Sequence, residues 1–312
     1  MGHIAIVLNA ASGGGESLKA AEKLKELFAT AGKDARITLP QHGDNIGTAM
    51  LQAVKDGCDA LVAGGGDGTI NAGATAAIGH DIPLGVLPLG TLNHFAKDVG
   101  IPLDVEEAAK VVLEGVTCRV DVGEINERIF LNNSSLGVYP AIVRLRERYE
   151  TRLRGKWVAA LWAAMTVLRR NPFMAVRIVV EGKTIIRRTP LLLVANNEYR
   201  MAGINAASRE TLAGGRLALY VVNAEQRPGL LRLAWQLLMH GGEQVKELDL
   251  LAVEEARVET RRSQLRVALD GEVAIMSSPL EYRIRPGALR LYVPAASSAC
   301  YPHDPRPSST RL

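Results

Sequence analysis

The sequence predicts an N-terminal α/β domain built on a doubly wound parallel sheet, followed by an all-β sandwich domain. Three observations predict it. The first 120 residues alternate strand-like apolar runs with helical patterns. From about Cys118 onward, strand-like runs follow one another with turns between them. Glycine-bearing polar loops stand at the ends of three of the early strands. Strand–helix alternation implies a parallel sheet with crossover helices. Strands in direct succession imply an antiparallel sandwich or barrel.

His3–Leu8 is a continuous apolar run, as expected of a strand buried on both faces. Ser17–Ala31 has helical periodicity and stops near Gly32. Asp34–Leu39 reads as a strand, Asn45–Asp56 as a helix ending at Gly57, and Ala60–Ala63 as a short strand entering the glycine-rich segment. A small-residue helix over Thr69–Ile78, a strand at Leu84–Leu87 and a helix at Val105–Glu114 complete the alternation. Strands are then expected at Cys118–Ile125, Arg128–Ser134, Ala175–Val180, Lys183–Pro190, Leu191–Ala195, Leu217–Val222, Glu254–Thr260, Gln264–Leu269, Glu281–Ile284 and Ala288–Val293. Helical stretches at Ala141–Arg170 and Gly229–His240 interrupt them. Domains are therefore expected at 1–122 and 123–294, with the chain near 285–295 able to return to the first. The Pro- and Ser-rich tail, 295–312, reads as disordered.

The 312 residues are 47% hydrophobic and 22% charged, which excludes a disordered or fibrous chain. No apolar stretch reaches the roughly 18 residues a membrane-spanning helix needs. The longest candidate, Trp157–Leu168, has 12. The N-terminus enters a strand directly, so no signal peptide is expected, and Ile6 argues against myristoylation. Cys58, Cys118 and Cys300 lack pairing or CxxC spacing, so the expectation is a reducing compartment without a disulfide framework or zinc site. Together these point to the cytoplasm, with contact at the inner membrane face as the peripheral option. Net charge is a mild +4 and no nucleic-acid motif is present, so nucleic acid is not an expected partner.

The segment Gly64-Gly65-Gly66-Asp67-Gly68-Thr69 lies between a strand and a helix. Glycines let the backbone approach a ligand closely, and the helix start offers free N–H groups to an anion. Asp67 fits such a site when Mg²⁺ accompanies the phosphates. Thr69 is placed to cap the helix and to touch phosphate. The segment is not a Walker A loop, because the closing Gly-Lys-Ser/Thr is missing. Asn9–Gly15 follows the first strand and Pro88–Asn93 the fourth. In an open α/β sheet such loops line one crevice. The bland alternative for each loop is a solvent-exposed turn.

Asp270 and Glu272, in Leu269-Asp270-Gly271-Glu272, end a strand far along the chain. A kinase acting on an alcohol uses a carboxylate to accept the hydroxyl proton. Asp-Gly is equally the signature of a hairpin turn. Asp121 is a carboxylate inside an apolar run, either functional or a paired structural residue.

Taken together, Asn9–Gly13, Gly64–Asn71, Pro88–Pro102, Val120–Gly123, Asn132–Gly137 and Leu269–Glu272 resemble the diacylglycerol kinase catalytic-domain family, which includes bacterial lipid kinases and sphingosine kinases. The resemblance covers roughly residues 1–295. It implies an ATP- and Mg²⁺-dependent kinase that phosphorylates a lipid hydroxyl, diacylglycerol-like first, at a membrane surface. By position, Asn9, Ala10, Ala11, Ser12, Gly13, Thr38, Gly65, Gly66, Asp67, Gly68, Thr69, Asn71 and Thr91 match the nucleotide-contacting segments. Asp270 matches the catalytic base and Glu272 its nucleotide- or metal-linked partner. Asp67 matches the Asp of the Mg²⁺ network, and Asp121 the acidic position near the acceptor hydroxyl.

Three departures stand out. The family's Asp-rich structural-metal stretch is here Ala213-Gly214-Gly215-Arg216-Leu217-Ala218, so that metal site is expected to be absent. Met201-Ala202-Gly203 replaces three glycines, and His94 stands where Asp is commoner.

Arg144–Arg170 begins with six basic residues against two acidic ones through Lys156, then places Trp157, Leu161, Trp162, Met165 and Leu168 at helical spacing. That is a face fit for anionic headgroups, or alternatively a core-packed helix. Two rival functions are an NAD kinase-like activity on a soluble dinucleotide and a catalytically inactive nucleotide- or lipid-binding regulator. The sequence leaves oligomeric state open, a dimer included.

Overall fold

The computed structural model of the chain describes residues 2–9, 16–40, 46–137, 173–201, 207–209, 211–222, 248–295 and 297. The expected helices Ala141–Arg170 and Gly229–His240, the loop Ala10–Gly13, and most of the tail lie outside the described residues. The chain divides into two units: Met1–Asp121 with Thr211–Ala213 and Pro286–Leu312, and Val122–Glu210 with Gly214–Arg285.

In the first unit, β1 (Ile4–Leu8), α1 (Glu16–Thr30), β2 (Ala35–Thr38), α2 (Ile46–Lys55), β3 (Ala60–Gly65), α3 (Asp67–His80) and β4 (Leu84–Pro88) alternate as expected. The strands run parallel in the order β2-β1-β3-β4. Every residue of β3 and β4 is buried, which explains their unbroken apolar character. The order reverses after β2: the first crossover steps one way from β1 and the second returns past it to β3. With right-handed crossovers this puts α1 and α2 on opposite faces. Next come a short α4 (His94–Asp98), α5 (Val105–Glu114) and β5 (Thr117–Ile125). The Asp104 carboxylate caps α5 by accepting from the Glu106 and Glu107 amides, and Gly115 ends it at φ 74°.

The second unit is antiparallel throughout. Its strands are β6 (Arg128–Phe130), β7 (Asn133–Gly137), β8 (Met174–Val180), β9 (Lys183–Thr189), β10 (Leu191–Asn196), β11 (Tyr199–Met201), β12 (Ala207–Arg209), β13 (Leu217–Val222), β14 (Leu248–Val253), β15 (Glu255–Thr260), β16 (Gln264–Leu269), β17 (Glu272–Ser277) and the start of β18 (Leu280–Tyr292). One sheet has the order β14-β13-β10-β7-β16-β17. The other carries β15 between β18 and β8, with β9 beyond β8. Their facing side chains, among them Leu136, Ile178, Val194, Leu219, Val258 and Val267, form one core. Tyr282 of β18 is buried in that core at 2% exposure, and its hydroxyl pairs with the Ser134 Oγ of β7 at 3.0 Å. Its ring stands edge-on to Phe130. At the margin, buried Glu124 accepts from Arg283 Nε at 2.7 Å and from Arg285 Nη1 at 3.3 Å.

Several expectations need correction. Arg128–Ser134 is not one strand: β6 ends at Phe130, and the next amides turn to a side chain instead of a ladder. Glu281–Ile284 and Ala288–Val293 are one strand, β18. Pro286-Gly287 reads as a turn, yet the strand bends through it, with Gly287 at φ 56° and its amide held by Asp121. The helix after the glycine-rich segment begins at Asp67, not Thr69. Cys118 is disulfide-bonded, contrary to the expectation of unpaired cysteines, while Cys58 is free and buried.

Tyr282 yields a stability prediction. Burial pushes its phenol well above the ordinary 10.0, with the Ser134 bond opposing in part. The unfolded chain ionises that phenol near pH 10 and the folded one does not. The stability gained is therefore full below about pH 10 and is lost as pH rises beyond it. Tyr282→Phe strands the Ser134 hydroxyl and should cost about 1–2 kcal/mol at pH 8. The gap to wild type should narrow above pH 10, as read from urea midpoints between pH 8 and 11. A gap that stays constant with pH would contradict this.

Candidate active site

Strand order places the reversal point between β1 and β3, the position where open α/β sheets bind ligands beyond the carboxyl ends of their strands. The loops after β1 and β3 meet there. The Asn9 amide donates to the Gly64 carbonyl at 2.8 Å, and Asn9 Nδ2 donates to Thr69 Oγ1 at 3.2 Å. Thr69 is buried and lies in the first turn of α3. It does not cap the helix as expected; Gly66 is the N-cap and no side chain caps it. Among the described residues no side chain caps the helix start, which suits its N–H groups to other acceptors.

The loop after β4 closes on the same turn. The Leu89 amide donates to the Gly65 carbonyl at 3.1 Å. A Cβ on Gly90 would lie 2.4 Å from the Gly66 Cα, so the two backbones touch where any side chain would separate them. Asn93, at φ 49°, ties the loop off: its Oδ1 accepts from the Gly90 amide at 3.0 Å, and its Nδ2 donates to the Gly90 carbonyl at 2.8 Å. The two oxygens of Asp67 then accept the first amides of α4, Phe95 at 3.2 Å and His94 at 3.3 Å. Asp67 is thus the clamp that joins the glycine-rich turn to the Leu89–Asn93 loop. Each carboxylate oxygen spends one lone pair on α4 and keeps further acceptor capacity, so the residue fits a place beside a phosphate-bound cation.

In the second unit, Asp270 and Gly271 are the two central residues of the β16–β17 hairpin, at φ 47° and 90°. That is a primed turn, so the hairpin reading of Asp-Gly is right. The turn also aims the carboxylate. Asp270 Oδ2 accepts from the Leu131 amide at 2.8 Å, and Oδ1 from Asn132 at 2.7 Å and Asn133 at 3.1 Å. Three amide donors fix the group in one orientation. Glu272 is exposed at the start of β17.

Other expected positions are more ordinary. Thr38 is exposed at the end of β2, Asn71 is half-buried in α3, and Thr91 is exposed in the loop before α4. Asp121 is fully buried, and its Oδ1 accepts the Gly287 amide at 2.9 Å. That bond ties β5 to β18. A cavity of about 730 Å³ in the second unit is lined by Glu124, Glu127, Glu181, Glu255 and Glu281 with Arg257 and Arg283, and holds none of the expected site residues. The sequence reading placed Asn93 in the Pro88–Asn93 loop without assigning it a role of its own, and it missed the Leu131–Asn133 amides as site components. A lone Asn in a Gly-Thr-Leu-Asn loop was the available signal for the first, and backbone donors carry no residue signature.

Residues 3–125 match the diacylglycerol kinase catalytic domain, and residues 137–293, half of the chain, match the YegS C-terminal NAD kinase beta sandwich-like domain. The chain belongs to the diacylglycerol kinase/YegS lipid kinase family. A family member from Mycobacterium tuberculosis, a diacylglycerol kinase, is 26% identical over 303 residues, covering 94% of this chain and 96% of that protein. Lipid kinase YegS of Escherichia coli K12 is 31% identical over 156 residues, 49% of this chain and 52% of that protein. A crystal structure of a diacylglycerol kinase from Bacillus anthracis superposes with a TM-score of 0.69 at 19% identity, over 95% of this chain and 98% of that one. At that identity the likeness shows the lipid kinase fold alone. Among the described residues no helix is long and apolar enough to cross a membrane.

Proposed function

We propose that the chain transfers the γ-phosphoryl group of Mg²⁺-ATP to a lipid hydroxyl, a diacylglycerol-like alcohol first. The observation that carries this reading is the uncapped start of α3 at the sheet's reversal point, closed in by Gly66 and Gly90. The amides of a helix start suit nucleotide phosphates. Gly65, Gly66, Gly68 and Thr69 would line them, with Asn9, Asn71, Thr38, Thr91 and the loop Ala10–Gly13 completing the nucleotide contacts. Asp67 would share the magnesium's surroundings, and the ion when bound neutralises charge on the phosphates. Asp270 orients the acceptor hydroxyl and receives its proton, with Glu272 beside it. The transition state of phosphoryl transfer is loose, so position and charge count for more than base strength. A carboxylate fixed by three amides supplies both.

Lipid acceptance favours work at the cytoplasmic face of a membrane, reached through the basic and apolar segment Arg144–Arg170. The test is incubation of the purified protein with Mg²⁺, ATP and a total lipid extract, followed by mass spectrometry of lipids that gain a phosphate, with NAD as a parallel acceptor. A phosphorylated lipid that requires both ATP and Mg²⁺ is the expected result. Phosphate on NAD alone would replace the lipid reading with the dinucleotide one, and transfer to neither acceptor would favour the inactive regulator.

A further inference from the structure

The Leu131–Asn133 segment is gripped from two sides. Its amides point at Asp270. Two of its acceptors, the Leu131 carbonyl and Asn132 Oδ1, are held by Arg209, a residue only 5% exposed, and the Leu131 carbonyl also accepts from Asn196 Nδ2 at 3.0 Å. Arg209 Nη1 donates to the Leu131 carbonyl at 2.6 Å and to the Asn196 carbonyl at 3.1 Å, and Nη2 donates to Asn132 Oδ1 at 2.8 Å. The guanidinium also lies 5.5 Å over the ring of Tyr199, its cross-strand partner in the β11–β12 pair.

The Leu131 carbonyl and the Asn132 amide are the two ends of one conjugated peptide group. A cation donating to the oxygen polarises that group and makes the N–H a stronger donor. This same N–H makes the 2.7 Å bond to Asp270. The next peptide repeats the arrangement. The Asn132 carbonyl accepts from the Asn196 amide at 3.0 Å and from the Tyr199 hydroxyl at 3.5 Å, while the Asn133 amide donates to Asp270 at 3.1 Å.

We propose that Arg209 is a positioning residue for phosphoryl transfer. Its guanidinium locks the Leu131–Asn133 peptides, and through them sets the orientation of the Asp270 carboxylate. The proposal rests on the kinase reading above. It requires arginine in particular. A planar fork reaches the Leu131 carbonyl and Asn132 Oδ1 at once, whereas a lysine ammonium is a point donor that cannot span both in the same way.

The experiment uses the full chain as R209M, R209K, R209A, D270N and R209M/D270N. R209M should lower kcat by about 10- to 100-fold, as small misplacements of catalytic groups do, with KM for ATP within about twofold. R209K should recover only a minor part of that loss, and millimolar guanidinium should restore part of the turnover of R209A. In the D270N background, R209M should cost less than about twofold, because the two act through one unit. A second readout needs no activity: in protein labelled with ¹⁵N-asparagine, the Asn132 and Asn133 amide signals should move in R209M and in D270N. R209M with wild-type kcat, additive losses in the double variant, or unmoved amide signals would each overturn the proposal. If the wild type phosphorylates nothing, the kinase reading falls, while the amide signals still decide the link between Arg209 and Asp270. Should R209M fail to fold, R209K carries the same kinetic and amide comparisons.

Discussion

Asp270→Asn is expected to reduce lipid phosphorylation by roughly 10²- to 10⁴-fold in kcat, the range for loss of a positioned general base. ATP affinity should stay within about twofold. The substitution suits the site because the residue sits at φ 47°, where Asn and Asp are the side chains best tolerated. The hairpin therefore survives, and only the carboxylate changes. A carboxamide meets the Leu131, Asn132 and Asn133 amides with one oxygen instead of two, so at least one donor loses its acceptor. The orientation of the group suffers together with its charge. Steady-state kinetics with saturating lipid, nucleotide binding by calorimetry and a melting curve separate these effects. Near-wild-type turnover by the variant would remove Asp270 from the reaction.

The second large effect is expected at Gly90. A Cβ there would lie 2.4 Å from the Gly66 Cα, 2.8 Å from Asn93 Oδ1 and 3.1 Å from the Gly66 nitrogen. Two of these atoms are backbone, and neither can swing aside. Gly90→Ala must push the β4 loop away from the glycine-rich turn, at a cost of about 1–3 kcal/mol, typical of overpacking. The separation should also weaken ATP binding by tenfold or more, about 1.4 kcal/mol, because the amides no longer converge. Gly79→Ala is the matched control. It lies in α3 with nothing within 4 Å of its Cβ, so alanine there should be neutral or stabilise by about 0.5–1 kcal/mol. Melting temperatures and ATP titrations of the two variants check both statements. An ATP affinity at Gly90→Ala equal to wild type would mean that the turn does not hold the nucleotide.

The first unit was readable because its signals are local. A buried parallel strand writes itself as an apolar run such as Ile4–Leu8, and glycine marks a close approach such as Gly66 to Gly90. What escaped detection depended on contacts between distant positions. Asp121 stands out in the sequence as a carboxylate in an apolar run; that it accepts from the amide of Gly287, 166 residues away, is written nowhere near it. Asp270 could be matched to a motif, but the amides that fix it come from Leu131–Asn133. Arg209 showed no pattern at all, since its role lies in two backbone carbonyls and an asparagine side chain. The strand breaks at Leu131 and the continuity through Pro286-Gly287 were misread for the same reason. A side chain from elsewhere satisfies those backbone groups, so local propensity gives the wrong boundary.

The first unit takes β18 from the far end of the chain: Leu291 pairs in parallel with Leu84 of β4, and Arg119 Nη1 donates to the Gly287 carbonyl at 3.0 Å. A gene fragment ending near residue 125 would lack that strand and leave β4 as a raw sheet edge, an invitation to aggregate. Modular exchange between relatives must therefore transplant two distant stretches of coding sequence together. A recombinant that swaps only the N-terminal stretch inherits someone else's last strand, so successful shuffling would favour parents whose β18 sequences are already interchangeable.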